Sequence, residues 1–434
     1  MFLFAKIKHG RYNAPTNLML GLGFVIFGLL TFFGLGSTKS AKSEGNFILT
    51  QPKEDTIRFS IGAIGDIMAH APQIIAQEKQ SGGYDFNNNY DKVRHLFKGI
   101  DLMMANLETT LSGKEKRFTG YPMFNAPDEL AEAVFNAGIH VVSLANNHIF
   151  DRAESGFFRT MEVLKKNSVI PIGVRKDTME RQYIVREVRG QRIGITAYTY
   201  ETGKIGGQKT INGLLIPEKI EPLLNSFDPS DIKGEAIKMQ RMVNQMKADS
   251  VDLIVFFMHW GEEYQTTPNK YQVDLASLLN QCGVDLIIGS HPHVVQPFGF
   301  IQHPENGHRT FVAYSLGNFI SNQRFETLAN YHTEDGLMVK VELMIPPGEK
   351  ISIEKVRYFP LWVNRDRRNN KQYYEVLSCI DYLGPQNEKN NMKLSEAKLN
   401  RLENSYKRTM VIVKENSTKF SNSEAFYSVL QNHQ

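Results

Sequence analysis

Short apolar runs that end in polar residues recur along this 434-residue chain and limit the folds open to it. The five clearest runs occupy residues 57–64, 100–105, 139–145, 251–258 and 284–288. Their length and their content of β-branched and bulky side chains predict buried β-strands. Asp, Glu, Asn or His follows each run closely. Because ligands of open α/β sheets bind beyond the carboxyl ends of the strands, we expect these polar side chains to meet at one place.

The segments between the runs have the spacing of amphipathic helices. Apolar residues recur at helical intervals in residues 127–136, 156–167, 231–248 and 271–282, and again in 394–414. Alternation of strands and helices predicts an α/β fold with a largely parallel core sheet covered by helices. The later runs, 310–315, 337–345 and 351–360, have no helices between them. They predict antiparallel strands that close the second half of a sandwich.

Residues 18–36 form an uncharged apolar segment that is long enough to span a membrane, and Lys6, Lys8 and Arg11 precede it. About 20 apolar residues suffice to cross the bilayer core as a helix, and basic flanks stay on the cytoplasmic side. We therefore expect a single-pass anchor in the cell membrane with the folded domain outside the cytoplasm. A cleaved signal peptide is the alternative, although its apolar region is usually shorter, about 7–15 residues.

Composition and charge limit how the rest of the chain can be interpreted. The formal net charge of +4 is too small to indicate a nucleic-acid partner. We divide the chain into a cytoplasmic tail with the anchor (1–36), a polar linker (37–56), an α/β domain (57–363) and a C-terminal extension of unknown role (364–434). Cys282 is expected to be a buried free thiol, while a disulfide to Cys379 is neither required nor excluded.

Six short motifs in a fixed order carry a family resemblance. They are Gly65-Asp66-Ile67-Met68, Ala105-Asn106-Leu107-Glu108, Leu144-Ala145-Asn146-Asn147-His148, His259-Trp260-Gly261-Glu262-Glu263-Tyr264, Ile288-Gly289-Ser290-His291-Pro292-His293 and Tyr314-Ser315-Leu316-Gly317-Asn318-Phe319. Over residues 57–363 the chain resembles the calcineurin-like metallophosphoesterase superfamily, and within it the CapA family of poly-γ-glutamate capsule synthesis proteins. The resemblance implies a four-layer α/β-β/α sandwich with two divalent metal ions, and Mn, Fe or Zn would suit the O and N donors.

The resemblance and the polar ends of the runs together give a set of candidate metal ligands. The set comprises Asp66, Glu108, Asn147, His259, His291 and His293. Glu108 stands where the superfamily has the carboxylate that bridges both ions, and the resemblance assigns one of His291 and His293 to each ion. These histidines flank Pro292, and in an extended segment this spacing puts both on one side. Met68 replaces a histidine of the wider superfamily, which removes one imidazole from the first ion.

Further residues are candidates for catalysis and substrate binding. By resemblance, His148 stabilises the transition state or protonates the leaving group, and Asp151 holds the tautomer of its imidazole. A hydrogen-bonded core histidine is the alternative interpretation of His148. Substrate-binding or pocket positions are predicted at Asn106, Glu263, Tyr264 and Asn318. Asn106 is also placed to orient Glu108, and a structural role for Asn318 in a tight turn fits the sequence equally well.

Two functions compete on these grounds. In the first, the protein is a metal-dependent hydrolase or transferase that acts on an anionic polymer or a phosphoester during synthesis or processing of a poly-γ-glutamate-like exopolymer. In the second, it is a non-catalytic partner that binds or exports the polymer for capsule-synthase subunits in the membrane. The replacement of a histidine by Met68 favours the second function. The pair Asn147-His148 and the two histidines His291 and His293 favour the first.

Overall fold

The computed structural model describes residues 55–368, 370–384 and 393–416. The predicted membrane anchor, residues 18–36, lies outside the described residues. Within the described ranges, no helix is both long and apolar enough to cross a membrane.

The strands, in chain order, are β1 (Ile57–Ile67), β2 (Leu102–Leu107), β3 (Val141–Ser143), β4 (Ile170–Ile172), β5 (Ile184–Val188), β6 (Gln191–Tyr200), β7 (Lys204–Ile205), β8 (Gln208–Ile211), β9 (Leu214–Leu215), β10 (Ser226–Phe227), β11 (Leu253–His259), β12 (Leu286–Ser290), β13 (Phe298–Gln302), β14 (Arg309–Ala313), β15 (Asn318–Ile320), β16 (Asp335–Ile345), β17 (Ser352–Arg368) and β18 (Lys371–Ser378). The α-helices are α1 (Ala71–Gln77), α2 (Arg94–Phe97), α3 (Glu129–Asn136), α4 (Ala153–Lys166), α5 (Ile232–Ala248), α6 (Lys270–Cys282), α7 (Phe325–Leu328), α8 (Cys379–Leu383) and α9 (Glu396–Met410), and a π-helical turn, Val411–Asn416, follows α9.

The predicted elements are present. The five apolar runs correspond to β1, β2, β3, β11 and β12, and the predicted helices correspond to α3, α4, α5, α6 and α9. Cys282 is a buried free thiol as predicted, and Cys379 is also free and buried. Apolar periodicity was therefore a sufficient signal for the type of each of these elements.

The first sheet has the strand order β18-β17-β16-β1-β2-β3-β4, and β15 pairs with the end of β1. Strands β1 to β4 are parallel to one another, whereas β16, β17 and β18 pair in antiparallel fashion. The register places Asp66 beside Asn106, and Asn106 beside Ser143. The carboxyl ends of β1, β2 and β3 therefore lie together at one edge of this sheet.

The second sheet has the order β10-β6-β11-β12-β14-β13, and β5 also pairs with β6. Strands β10, β6, β11, β12 and β14 are parallel, while β5 and β13 are antiparallel to their neighbours. The register pairs Thr199 with His259, and His259 with Ser290. A small sheet, β7-β8-β9, lies between β6 and β10 in the chain. The second sheet thus also brings several carboxyl strand ends to one edge.

The predicted sandwich is present, but its parallel strands are divided between both sheets instead of forming one core sheet. The run at 310–315 also differs from its prediction, since it forms β14, which is parallel to β12. The cause is β13, a strand that the sequence analysis did not identify. Its antiparallel pairing with β14 reverses the chain between β12 and β14. The runs at 337–345 and 351–360 are antiparallel as predicted, but they extend the first sheet.

Alternate residues of β11 show how the layers pack. Val255 and Phe257 belong to the core that lies between the two sheets, together with residues of β1 and β16. Phe256 and Met258 point to the opposite face, where α5 and α6 cover the second sheet. Full burial of side chains of this size stabilises the fold by roughly 1.5–3 kcal/mol each. The protein is therefore a mixed α/β sandwich.

A buried carboxylate attaches the C-terminal helix α9 to this sandwich. Glu334 accepts hydrogen bonds from Arg401 at 2.7 and 2.8 Å, from Arg324 at 3.0 Å and from the indole of Trp362 at 3.2 Å. Removing one partner of such a buried ion pair is costly, so the contact fixes α9 in place. The first sheet itself continues through β17 and β18 to Ser378, beyond residue 363.

Candidate metal centre

Carboxyl ends of strands from both sheets bring the six predicted ligands to one buried place. Asp66 lies near the end of β1, Glu108 and Asn147 come after β2 and β3, His259 ends β11, and His291 and His293 follow β12. All six residues are at most 3% exposed. The shared site expected from the sequence is thus present in the fold, although its strands belong to two sheets.

Two groups of carboxylate and imidazole atoms have the spacing of metal sites, and they share Glu108. The ligand atoms of Glu108, His291 and His293 lie within 4.8 Å of one another, and so do those of Asp66, Glu108 and His259. His293 joins the groups, since its Nδ1 lies 3.1 Å from Asp66 Oδ2 and its Nε2 lies 3.6 Å from Glu108 Oε1. Glu108 therefore stands between two candidate cation positions. The assignment of one of His291 and His293 to each ion stays a prediction.

Asn106 orients the two carboxylates of this cluster. Its Nδ2 donates to Asp66 Oδ1 at 2.8 Å and to Glu108 Oε2 at 2.9 Å. Its own Oδ1 accepts a hydrogen bond from Asn146 Nδ2 at 3.1 Å, and Asn146 also donates to the Leu107 carbonyl at 2.8 Å. These contacts support the orienting role of Asn106, because the amide hydrogens are directed at the carboxylates.

His259 connects strand ends of the two sheets. Its Nε2 lies 3.0 Å from Asn147 Oδ1 and 3.7 Å from Glu108 Oε1. Its Nδ1 lies 3.1 Å from the Ser290 hydroxyl. Metal-binding histidines usually have the second ring nitrogen held by a hydrogen bond, which fixes the ring orientation. The Ser290 contact provides that constraint and directs Nε2 toward Asn147 and Glu108.

The segment that contains His291 and His293 is not extended, which corrects the geometric reason given for their convergence. Strand β12 ends at Ser290, and φ is 97° at His291 and 58° at His293. Residues with a Cβ rarely adopt such angles, and strain of this kind is found at functional sites, at about 1–3 kcal/mol per residue. The ring centroids nevertheless lie 6.0 Å apart. A tight bend, rather than the alternation of a strand, brings both imidazoles to the site.

Burial and mutual charge determine the electrostatics of the centre. Burial raises the pKa of Glu108 well above its usual value, and the charge of Asp66 adds to this effect against the opposing charge of His293. Burial lowers the pKa of His259 and of His291 well below the usual value, and neighbouring imidazoles lower it further. Burial alone would also lower the pKa of His293, but Glu108 and Asp66 outweigh it and raise that pKa to about 9. Neutral His259 and His291 are in the form that binds a metal.

Two buried atoms of the cluster indicate that the site fits a metal ion. Among the described residues, Glu108 Oε1 and His291 Nδ1 have no hydrogen-bond partner. Buried polar atoms are normally hydrogen-bonded, so unpaired ones call for an explanation such as a bound ion. Carboxylate, amide and imidazole donors suit Mn, Fe or Zn. The donor set and its unpaired atoms therefore fit divalent metal ions.

His148 lies beside the centre and is held by a carboxylate. Its Nδ1 is 2.8 Å from Asp151 Oδ2, which also accepts the backbone N–H of Phe124 at 2.6 Å. The Phe124 ring packs edge-on against the imidazole, with the centroids 4.6 Å apart. With Nδ1 directed at Asp151, Nε2 is the nitrogen available to a substrate. The structure thus brings together the predicted pair His148 and Asp151 outside both groups of ligands.

The predicted substrate-binding residues differ in exposure. Glu263 is exposed and Tyr264 is half-buried, and the Tyr264 ring centroid lies 6.2 Å from that of His293. Asn318 is fully buried, and its Nδ2 donates to the carbonyl oxygens of His293 at 3.2 Å and Thr333 at 3.0 Å. Glu263 and Tyr264 therefore lie at the edge of the site. The hydrogen bonds of Asn318 to two backbone carbonyls fit the structural role in a turn that the sequence also allowed.

Sequence reasoning missed three residues that position the centre: Asn146, Ser290 and Tyr200. The Tyr200 ring lies 4.7 Å from that of His291 and is nearly parallel to that of His259 at 6.2 Å. Tyr200 ends β6, so the strand pattern at residues 193–200 was the available signal. Asn146 and Ser290 lie inside quoted motifs, and only their hydrogen bonds reveal their roles.

Comparisons with known proteins agree with these motifs. The family described as "Bacterial capsule synthesis protein PGA_cap" matches residues 60–323. The chain is 27% identical over 292 residues to the capsule biosynthesis protein CapA of Bacillus anthracis, which covers 64% of this chain and 64% of that protein. It is 26% identical over 339 residues to the PGA biosynthesis protein CapA of Bacillus subtilis (strain 168), covering 75% and 79%. The match thus spans slightly less than two thirds of the first relative's length.

The matched range contains every candidate site residue, from Asp66 to Asn318. Among solved structures, the sulfate thiohydrolase SoxB of Thermus thermophilus in complex with glycerol aligns with 81% of this chain and 60% of its own, with a TM-score of 0.37 and 12% identity. A likeness at this level transfers no functional residues.

Proposed function

The chain belongs to the bacterial capsule synthesis protein family PGA_cap, and from this premise we propose that it is a dinuclear-metal hydrolase or transferase of capsule or exopolymer biosynthesis. The observation that carries the proposal is the pair of buried ligand groups that share Glu108. A carboxylate between two divalent cations neutralises part of their mutual repulsion. Two-metal centres of this kind are typical of hydrolytic enzymes.

The proposed mechanism gives each part of the site a role. The two ions would be held by Asp66, Glu108, Asn147, His259, His291 and His293. Such ions supply a nucleophile near neutral pH, by lowering the pKa of bound water to about 7, and stabilise developing negative charge. Asn106 keeps the carboxylates oriented and Ser290 keeps the His259 ring oriented. In the proposed step both ring nitrogens of His148 first carry a proton: Nδ1–H donates to Asp151, and the Nε2 proton passes to the leaving group, which leaves a neutral imidazole.

The proposed substrate is an anionic exopolymer of the poly-γ-glutamate type, which would be cleaved at a γ-glutamyl amide bond. A phosphoester is the second substrate class that we propose. Two similar proteins are named for capsule biosynthesis and PGA biosynthesis. Glu263 and Tyr264 lie at the edge of the centre, where they would contact the polymer chain. Membrane-bound capsule-synthase subunits are the proposed protein partners.

One observation favours the alternative, a non-catalytic partner that binds or exports polymer for a capsule synthase. Met68 is buried, and its sulfur accepts a hydrogen bond from the Ser321 hydroxyl at 3.6 Å. No imidazole therefore occupies this position of the superfamily pattern. Nearby His70 belongs to neither group of candidate ligands, and its backbone N–H and its Nδ1 both contact Gln73 Oε1 at the start of α1. A site with fewer imidazoles binds the first ion more weakly.

Metal content and a substrate screen test the proposed function together. We expect the purified protein to contain Mn, Fe or Zn, and to hydrolyse either phosphoesters or γ-glutamyl peptides. Chelation should abolish the activity, and readdition of one metal should restore it. Elemental analysis and product chromatography provide the two measurements. A metal-loaded protein that binds poly-γ-glutamate but cleaves neither class of compound would contradict the enzyme proposal and support the alternative.

The location of the folded domain is a separate proposal that rests on the apolar segment at 18–36. We expect a reporter fused after Gln434 to be active only if the reporter works outside the cytoplasm, because the basic flank keeps the N-terminus inside. Alkaline phosphatase and β-galactosidase fusions measure the two locations. In a matched control variant, Lys6, Lys8 and Arg11 are replaced by Glu, which should weaken the preference for a cytoplasmic N-terminus. Activity of the cytoplasmic reporter in the unchanged protein would show the location to be wrong.

A further inference from the structure

A cavity that is separate from the metal centre lies at the opposite edge of the sandwich. Its volume is about 190 Å³, and its walls include Leu253, Phe300, Arg309, Leu343 and Ile353. Leu253 and Arg309 are the first residues of β11 and β14, whereas His259 is the last residue of β11. The cavity is therefore at the amino ends of the parallel strands, a full strand length away from the metal ligands.

Arg309 occupies an inward position of β14. Side chains two and four residues farther along, Phe311 and Ala313, face the core between the sheets and are fully buried. The Arg309 guanidinium lies over the Phe300 ring, 4.5 Å from its centroid. Its Nε is buried and has no hydrogen-bond partner in the part of the chain that the structure describes. Burial lowers the pKa of Arg309, and no acidic neighbour counteracts this effect.

Two other inward arginines among the described residues are paired with carboxylates. Arg324, which is almost fully buried, lies 3.0 Å from Glu334, and Arg408 forms a buried contact with Asp335. Arg309 is partly buried, and burying part of a cation without an anion is unfavourable, a cost that the stacked Phe300 ring offsets only in part. Arg309 therefore has the properties of a cation whose anion is supplied from outside the chain.

Asp285 also lines the cavity, and one of its two carboxylate oxygens is hydrogen-bonded. Asp285 Oδ2 accepts the backbone N–H of Ile254 at 2.7 Å, and Oδ1 faces the His308 imidazole at 3.9 Å. The remaining wall is mixed: Phe300, Leu343 and Ile353 are among its apolar residues, and His308 and Ser352 are polar. A guanidinium presents paired N–H donors that match the two oxygens of a carboxylate.

We propose that this cavity binds a small organic carboxylate, whose oxygens pair with Arg309 and whose short aliphatic group packs against Phe300, Leu343 and Ile353. Pockets for drug-sized ligands measure about 300–1,000 Å³, so the occupant of this cavity is smaller than such ligands. The site is independent of the metal centre and of the proposed enzyme activity.

Butyrate is a suitable probe, and butyramide is its neutral analogue of the same shape. Calorimetric titration of the full chain at constant ionic strength should show saturable binding of butyrate. Butyramide should bind at least about tenfold more weakly, because it cannot form charge-assisted hydrogen bonds with Arg309. Butyrate binding should persist after the metal has been removed with a chelator. That result separates this cavity from carboxylate binding at the metal centre.

Two variants and one control complete the test. Arg309→Gln should weaken butyrate binding by about tenfold or more. Ser352→Phe should weaken it as well, since Ser352 is an exposed strand residue on the cavity wall and the larger side chain narrows the space. Arg241→Gln, at an exposed position of α5, should bind like the parent. Absence of saturable binding, equal binding of butyramide, or parent-like affinity in both Arg309→Gln and Ser352→Phe would overturn the proposal.

Discussion

Replacing Glu108 by glutamine is expected to remove bound metal more completely than any other single change in the centre. Both groups of candidate ligands contain Glu108, whereas Asp66 belongs to one group and His291 to the other. Changes in outer-shell partners of metal ligands already cost about 10–100-fold in affinity, and loss of a shared ligand should cost more. Asp66→Asn and His291→Ala should each retain more metal than Glu108→Gln. Elemental analysis of the purified variants measures the difference.

The stability of the metal-free protein separates loss of metal from loss of fold. Glutamine keeps the shape of Glu108 and cannot ionise, and burial and the charge of Asp66 already disfavour the ionised carboxylate, so metal-free Glu108→Gln should melt no lower than the metal-free parent. Glu342→Gln is the matched control. Glu342 lies on β16 away from the centre, and it pairs with Lys340 of the same strand and with Arg357 of β17. That variant should keep its metal. Unchanged metal content in Glu108→Gln would contradict the shared-ligand interpretation.

Sequence patterns could predict the convergence of the candidate ligands because these residues follow the ends of strands. An apolar run that stops at a hard donor marks both the strand and the edge at which it ends, so Asp66, Glu108, Asn147 and His259 were all located. The pattern holds for each strand separately. It therefore worked even though β1, β2 and β3 lie in one sheet and β11 and β12 in the other.

The resemblance implied a sandwich of two sheets, but the apolar runs alone do not show which strand belongs to which sheet. A run of buried residues does not encode which strand it pairs with, and β12 and β14 became parallel neighbours only because the unidentified strand β13 lies between them in the chain. Likewise, the spacing of His291 and His293 correctly suggested convergence, but their left-handed φ angles arise from the bend after β12. The doublet Asn146-Asn147 shows the limit at single residues, because only the hydrogen bonds show that Asn146 supports Asn106 while Asn147 faces His259.

Replacing His148 by alanine is expected to lower turnover by about 10²–10⁴-fold, the usual contribution of one positioned acid or base. The metal content of the His148→Ala variant should stay nearly unchanged, since His148 belongs to neither group of candidate ligands and its Nδ1 contacts Asp151. Asp151→Asn should lower turnover less strongly and also leave the metal in place, because it changes only how the imidazole is held. Rates on the substrate found by the screen, with elemental analysis of the same samples, measure both effects.

His291→Ala should lose metal and activity together, which distinguishes a ligand from an acid that acts on the substrate. His303→Ala is the matched control, since His303 lies in the turn between β13 and β14 and contacts the backbone N–H of Glu305 at 3.2 Å. It should keep both metal and activity. Polymer production in cells that carry each variant then separates catalysis from binding. If His148→Ala and His291→Ala both sustain full production, neither the proton donor nor the metal is needed, and the protein acts as a polymer-binding partner of the synthase instead of an enzyme.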